Sequence, residues 1–392
     1  MEKEYRKLKI GLFTDTYTPQ INGVVSSIKI FKTELERQGH EVFIYAPKIK
    51  REIQDQEEAA YEPNVIRFES FKLAFQPEYN ICLPFSIGFV KNFFRDKLDI
   101  VHAQTPFSLG LLAFYYAFTK RKPLVHTYHT LYPEYAKAYI FKGRLMPMRL
   151  IEKITAAFCN RCELNIAPSI KIKKLMTKYG VKTPIEVLPT GININDFKKV
   201  SSDFRQRFKI KDSAKVLIFV GRFGSEKNIE FLIRSMKIIA EKDADAVLVL
   251  VGGGPQEKKL RVLTKKLKLI DKVIFTGYLN KAEVIQAYSA SDLFVFASKT
   301  ETQGMVILEA AACGLPIVAV KDEAFSNILL NGKNGYFTEE KEADFAGAVL
   351  KILKNKAGYN RMSDKSIEIS KDFTIEKMTN KLLNLYYNLI VK

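Results

Sequence analysis

The sequence has no tryptophan, and only four cysteines and four histidines in 392 residues. So few cysteines exclude a disulfide-built scaffold and fit a reducing compartment; a chain this long buries large cores without covalent staples. Long hydrophobic runs are also missing. The longest stretch free of Asp, Glu, Lys, Arg and His, 103–119, has 17 residues and includes Pro106, short of the roughly 20 apolar residues that cross a bilayer. The start MEKEYRKLK is polar and acid-bearing, unlike a secretory signal. No GxGxxG fingerprint occurs, so a dinucleotide-dependent dehydrogenase has no direct support. These absences predict a protein that is soluble or rests on a membrane surface without crossing it.

Positive charge is what the chain has in excess: 62 Lys and Arg against 43 Asp and Glu, a net +19. That balance points to an anionic partner, whether nucleic acid, lipid surface or phosphorylated ligand. The excess is local, since residues 101–190 hold 14 basic and 4 acidic side chains. Tyrosine and phenylalanine are plentiful, but no RNA-binding signature accompanies them, and nucleic acid is the poorest of the three explanations.

Short β-branched runs alternate with helical segments along most of the chain. LKIGLF (8–13), EVFIYAP (41–47), DIVHA (99–103), PLVHTYH (123–129) and LNIAPS (164–169) read as strands. A second series is KVLIFVG (215–221), AVLVLVG (246–252), KVIFTG (272–277), DLFVFAS (292–298) and LPIVAV (315–320). Strands separated by helical patterns predict an α/β protein with parallel sheets. The aperiodic, turn-rich 188–204 separates the series. The expected organisation is therefore two Rossmann-like domains, 1–195 and 196–372, facing a cleft, with a terminal helix over 373–392. LGLLAFYYAF (109–118) is apolar all round and reads as a buried helix.

Three segments have the residue types for a phosphorylated ligand. In TDTYTPQINGVVSS, Asn22 and Gly23 open the first helix; Gly23 either permits a tight turn or lets the helix N-terminus approach a phosphate. VGRFGSEKN (220–228) places Arg222 and Lys227 at a strand-to-helix turn, where a guanidinium and an ammonium suit a diphosphate. KTETQGMVILEAAACGLPIV (299–318) sets Glu301 in a loop and Glu309 on the next helix, with Gln303, Gly304 and Met305 between them. Carboxylates accept hydrogen bonds from vicinal hydroxyls, and helix-start N–H groups face polar ligands. Cys159 and Cys162 have zinc-like spacing but no second pair, and Asp243-Ala-Asp245 precedes a strand at the end away from the cleft.

With its Glu-x7-Glu block (Glu301 to Glu309), its G-R-x4-K segment (Gly221, Arg222, Lys227), the Gly23 loop, GGGP at 252–255 and PTGIN at 189–193, the sequence resembles the GT-B retaining glycosyltransferases of family 4. The likeness runs through nearly the whole chain in order. It implies an acceptor-binding N-terminal domain and a nucleotide-sugar-binding C-terminal domain, the terminal helix returning to the former. It also implies that Glu309 binds the nucleotide ribose and that Arg222 and Lys227 hold the diphosphate. Glu301 and the backbone of Gln303, Gly304, Met305 and Val306 would engage the sugar. Gly23 and Gly253 would adjoin the donor, and Tyr278 and Leu279 would border the base. His129, in HTYH (126–129), would take a catalytic place near sugar and acceptor, whereas His40, His102 and His126 read as structural. Cationic side chains do the charge stabilisation, so no metal and no resident cofactor are implied.

Within the family, HAQTPFSLG (102–110) and VHTYHTLYPEY (125–135) look most like the bacterial 1,2-diacylglycerol 3-glucosyltransferases, which move glucose from UDP-glucose to diacylglycerol at the inner leaflet. The expectation is a peripheral enzyme on the cytoplasmic face of the membrane, attracted to anionic lipid. Its lipid-facing patches are expected at 71–94 and 140–150, which mix aromatic, Met and basic residues. Phosphatidylinositol or a soluble sugar as acceptor, a UDP-sugar epimerase and a non-catalytic lipid-binding scaffold stand as alternatives.

Overall fold

The computed structural model describes residues 6–20, 22–48, 63–73, 76–82, 97–131, 148–198 and 200–391. Contacts divide the chain into one unit of 1–191 with 375–392 and another of 192–374. Most of the two patches expected to face lipid, including 83–94 and 140–147, lies outside the described residues.

The first unit is built on a seven-stranded parallel sheet ordered β3-β2-β1-β6-β7-β8-β9. Its strands are β1 (Lys9–Phe13), β2 (Glu41–Pro47), β3 (Val65–Phe68), β6 (Ile100–Ala103), β7 (Leu124–Thr127), β8 (Leu164–Ala167) and β9 (Ile185–Val187); β4 (Ser70–Leu73) and β5 (Gln76–Cys82) form an antiparallel pair. Helices α1 (Gly23–Arg37), α2 (Ser108–Lys120), α3 (Met148–Cys159) and α4 (Ile170–Lys178) connect them. Central strands such as β6 and β7 are buried at every residue, which is why they read as unbroken apolar runs rather than alternating ones.

The second unit has a six-stranded parallel sheet, order β12-β11-β10-β13-β14-β15. These strands are β10 (Lys215–Val220), β11 (Ala246–Val251), β12 (Val273–Gly277), β13 (Leu293–Phe296), β14 (Ile317–Val320) and β15 (Gly335–Thr338). The helices that matter to its strand ends are α5 (Ile229–Lys242), α6 (Glu257–Lys266), α7 (Lys281–Ser289) and α8 (Met305–Ala312); α9 (Glu342–Leu353) and α10 (Lys356–Ser370) complete it. In both sheets the order reverses beside the first strand, the point at which open α/β sheets bind ligands.

Helix α11 (Ile375–Ile390) returns the C-terminal end to the first unit, against α1. Gln38 donates to Asn380 Oδ1 at 3.0 Å, Tyr387 Oη donates to the Arg6 carbonyl at 2.8 Å, and buried Tyr386 reaches the sheet. Among the described residues no helix is long and apolar enough to cross a membrane.

The structure corrects the reading of α2. One side is buried through Leu109, Leu112, Ala113, Tyr116 and Ala117, but Leu111, Tyr115 and Phe118 are 60%, 50% and 74% exposed. A helix that is apolar all round satisfies the core with one side and leaves the other to whatever lies outside.

Candidate active site

In the second unit the loops after β10 and β11 lock together through their backbones. Phe223 N–H donates to the Gly253 carbonyl at 2.8 Å, and Gln256 N–H to the Phe223 carbonyl at 3.0 Å. Gly252 has φ +124°, and a Cβ there would lie 2.1 Å from the Gly221 carbonyl oxygen, so only glycine fits this approach. Arg222 is exposed beside the buried Phe223. The Tyr278 ring, 75% exposed, covers Gly253 so closely that a Cβ at 253 would come within 2.7 Å of it. Leu279 follows, half-buried. Two residues expected to border the donor, Gly253 and Tyr278, are thus in contact.

The loops after β10 and β13 also meet. The Glu226 carbonyl accepts from Ser298 Oγ at 3.3 Å and from Lys299 N–H at 3.4 Å. This joins the turn Ser225–Lys227 to the loop leading to Glu301. Lys227 Nζ donates to Glu301 Oε1 at 2.6 Å, and both side chains are largely buried. Next comes Gly304, at φ +75°, as the N-cap of α8, with no side chain capping the helix start. The N-terminal end of α8 therefore begins at Met305 and Val306, leaving its positive dipole end available to a polar ligand.

Glu309 lies one turn along α8, half-buried. Tyr288 of α7 donates its hydroxyl hydrogen toward Glu309 Oε2 at 3.1 Å and the Val306 carbonyl at 3.3 Å. Burial holds the Glu309 carboxyl above the usual carboxylate range, against the opposing pull of the Tyr288 hydroxyl and the Lys281 charge. Tyr288 was missed in the sequence: it stands 21 positions before Glu309, on a different helix, with no motif around it.

Asp243 is bound to Lys215 Nζ at 2.6 Å, at the opposite edge of the sheet from these loops. Cys159 and Cys162 are buried thiols in apolar surroundings, which push the first up to about 12 and the second well above its ordinary value.

In the first unit, β7 ends just before His129, whose Nε2 lies 2.7 Å from Gln104 Oε1, the residue after β6. With that oxygen as acceptor, Nε2 carries the proton and Nδ1 keeps its lone pair. Burial, then the neighbouring His126, pushes His129 down to about 3, so the ring is neutral near pH 7. His129 and Gln104 line a small pocket of about 20 Å³ with Ser27, Thr127, Thr190 and Tyr386. Ser27 is one turn beyond Gly23, and a Cβ at Gly23 would meet nothing within 4 Å. Asn22 caps this helix by accepting from Val25 N–H at 3.0 Å.

The remaining histidines are bound into the fold. His102 bridges Tyr386 Oη (2.6 Å from Nδ1) and Thr127 Oγ1 (2.7 Å from Nε2). His126 Nδ1 lies 3.0 Å from the Ala103 carbonyl, and His40 Nδ1 accepts from Leu8 N–H at 3.1 Å. Asp15, also missed, ties the end of β1 to the start of α2. It accepts from Thr105 Oγ1 at 2.5 Å, Leu109 N–H at 3.0 Å and Ser108 Oγ, and burial raises its carboxyl.

Two parallel α/β units, one gathering a cation–carboxylate pair and a second carboxylate at its strand ends, fit a glycosyltransferase that depends on a nucleotide-sugar, and the family matches show that class. Residues 200–369 match the glycosyl transferases group 1 family and residues 21–196 match glycosyltransferase family 4. The chain belongs to this family and has its GT-B fold. It is 35% identical over 377 residues to an alpha-monoglucosyldiacylglycerol synthase of Streptococcus pneumoniae, covering 93% of this chain and 82% of that protein. A protein of the same name from Acholeplasma laidlawii is 31% identical, with 98% of each covered. Among solved structures, Anabaena HepE in complex with UDP superposes with a TM-score of 0.79 at 19% identity, covering 97% of this chain and all of that one.

Proposed function

We propose that this enzyme transfers glucose from UDP-glucose to the 3-hydroxyl of diacylglycerol, with retention of the anomeric configuration, giving monoglucosyl diacylglycerol. The observation that carries this reading is the similarity, over nearly the whole chain, to two proteins named alpha-monoglucosyldiacylglycerol synthase. The fold relative solved with UDP agrees with a uridine donor.

The second unit is the donor side. Glu309, steadied by Tyr288, takes the ribose hydroxyls; Tyr278, Leu279 and Gly253 border the base. Arg222 and Lys227 hold the diphosphate and stabilise the charge that grows on it as the bond to the anomeric carbon breaks. The helix start at Gly23 offers its N–H groups to a phosphate. Glu301 and the backbone of Gln303 to Val306 hold the sugar. The acceptor oxygen bonds to the anomeric carbon from the face the diphosphate leaves, and the hydroxyl proton passes to the departing UDP. His129 adds a neutral hydrogen-bonding group near the acceptor rather than a fixed cation. The first unit is the acceptor side, working peripherally at the cytoplasmic face of an anionic membrane.

The test is a panel of nucleotide-sugars assayed against diacylglycerol vesicles, with the product anomer assigned by NMR. Transfer from UDP-glucose giving the α-anomer is expected. Transfer only to a soluble sugar or phosphatidylinositol overturns the acceptor, and conversion of the donor without any acceptor overturns the transferase reading.

A further inference from the structure

Strands β6 and β7 are parallel neighbours, with His102 opposite Val125 and Ala103 opposite His126. Residues two apart along a strand share a face of the sheet, and on one face this register sets up two cross-strand pairs with the same 25-residue step. His102 Nε2 lies 2.7 Å from Thr127 Oγ1; one rung further, just past both strand ends, Gln104 Oε1 lies 2.7 Å from His129 Nε2. Tyr386 of α11 closes the first rung, its hydroxyl 2.6 Å from His102 Nδ1. The second rung is held from β1: Gln104 N–H donates to the Phe13 carbonyl at 2.7 Å, and the next residue, Thr105, is bound to Asp15. Gln104 itself is buried.

What the second rung lacks is charge. The titratable groups around His129 are His102 from β6, His126 from β7 and Tyr386 from α11, and among the described residues no Asp, Glu, Lys or Arg lines the pocket. A carboxylate in the place of Gln104 would orient the ring equally well and would also stabilise an imidazolium, which is how a histidine that takes up a proton in catalysis is usually backed. An amide orients the ring without that stabilisation. Its oxygen accepts one N–H, which leaves the proton on Nε2 and the lone pair on Nδ1. Burial beside two other neutral histidines opposes a second proton. We propose that Gln104 is a positioning residue for His129: it fixes the Nε2–H tautomer and keeps the ring uncharged, so that His129 offers Nδ1 as a hydrogen-bond acceptor to a substrate hydroxyl. The proposal rests on the transferase reading above and deepens it. The ring accepts a hydrogen bond and removes no proton, in keeping with passage of the hydroxyl proton to the departing UDP.

The test is nitrogen NMR on enzyme carrying labelled histidine, whose four rings give a spectrum that His129→Gln assigns by the loss of one. Wild type is expected to show the His129 proton on Nε2 and none on Nδ1, unchanged from about pH 8 to about pH 5.5. Gln104→Leu should release the tautomer and lower kcat about tenfold, with KM for UDP-glucose within about twofold. Gln104→Glu should keep the Nε2 proton, let Nδ1 take up a second one as pH falls, and give kcat an acid limb that wild type lacks. A Gln104 that served the fold alone would move neither. A wild-type proton on Nδ1, or on both nitrogens near pH 7, overturns the proposal; so does a wild-type tautomer with wild-type turnover in Gln104→Leu, or a Gln104→Glu profile without the acid limb. The His102 and His126 signals report whether each variant is folded, and where one is not, the wild-type spectrum decides alone. The expected ring state without glucosyl transfer to diacylglycerol would instead overturn the acceptor and leave the role of Gln104 standing.

Discussion

Lys227 and Glu301 form an ion pair at 2.6 Å. Each was expected to serve a different part of the donor, the lysine a phosphate and the glutamate a hexose. The pairing gives the largely buried ammonium a carboxylate counter-charge. On the proposed role of Lys227 at the diphosphate, Lys227→Ala removes charge stabilisation at the leaving group. Turnover should fall by about 100-fold, near 3 kcal/mol in barrier height, with a smaller change in KM for the donor. Initial rates at saturating UDP-glucose provide the check, and wild-type turnover from this variant removes Lys227 from the diphosphate.

Tyr288 donates to Glu309 Oε2 and would position that carboxylate in the proposed ribose contact. Tyr288→Phe deletes one hydroxyl from a buried ring and leaves the packing with Phe294 in place. A hydrogen bond to a charged group contributes about 1.5 kcal/mol, so KM for the donor should rise roughly tenfold while kcat stays within a few-fold. Glu309→Ala should raise it further. Calorimetric titration with UDP separates this from loss of fold: unchanged affinity in Tyr288→Phe would falsify the assignment.

The repeating strand–helix grammar was legible because central parallel strands are buried on both faces and spell themselves as apolar runs, as β10 and β11 do. The edge strands β3, β9 and β15 gave no such signal. They have only three or four residues and face solvent in part, so Val-Ile-Arg-Phe or Gly-Tyr-Phe-Thr does not stand out from a loop. Candidate residues could be named where chemistry clusters along the chain, as with Arg222 and Lys227. Supporting residues were not: Tyr288, Gln104 and Asp15 reach their partners through sheet order, which spacing does not encode. The exposed side of α2 was hidden for the converse reason, since hydrophobicity predicts burial without saying in what.

Gly252 and Gly23 call for opposite outcomes on substitution. Gly252→Ala forces a Cβ to within 2.1 Å of the Gly221 carbonyl at a φ only glycine takes easily. The β10 and β11 loops must part, so thermal stability and donor binding should both drop. Gly23→Ala meets open space; its melting temperature should stay within a degree or two, as for other uncrowded surface changes. On the proposed phosphate contact at this helix start, its KM for donor should nevertheless rise. Melting curves paired with donor titrations decide it, and Gly23→Ala with unaltered KM ends the case for a phosphate at that helix start.

Acid should destabilise the first unit through its histidines. Burial pushes His126 down to about 4, His129 to about 3 and His102 well below its ordinary value. In the unfolded chain these rings take up protons near pH 6.5, while the folded protein keeps them neutral. The unfolded state therefore binds more protons as pH falls below about 6.5, and stability declines with it until the folded values are reached. Asp15 and Glu309, raised by burial, act oppositely, because folding favours their protonated forms and their contribution is lost as pH rises. Three histidines outweigh two carboxyls between pH 7 and 5, so the melting temperature should fall across that interval, and a flat or rising curve contradicts this account. Over the same range kcat should show no limb from His129, which stays neutral throughout; an inflection near pH 6.5 that disappears in His129→Gln would mean the ring titrates freely and is not held by Gln104.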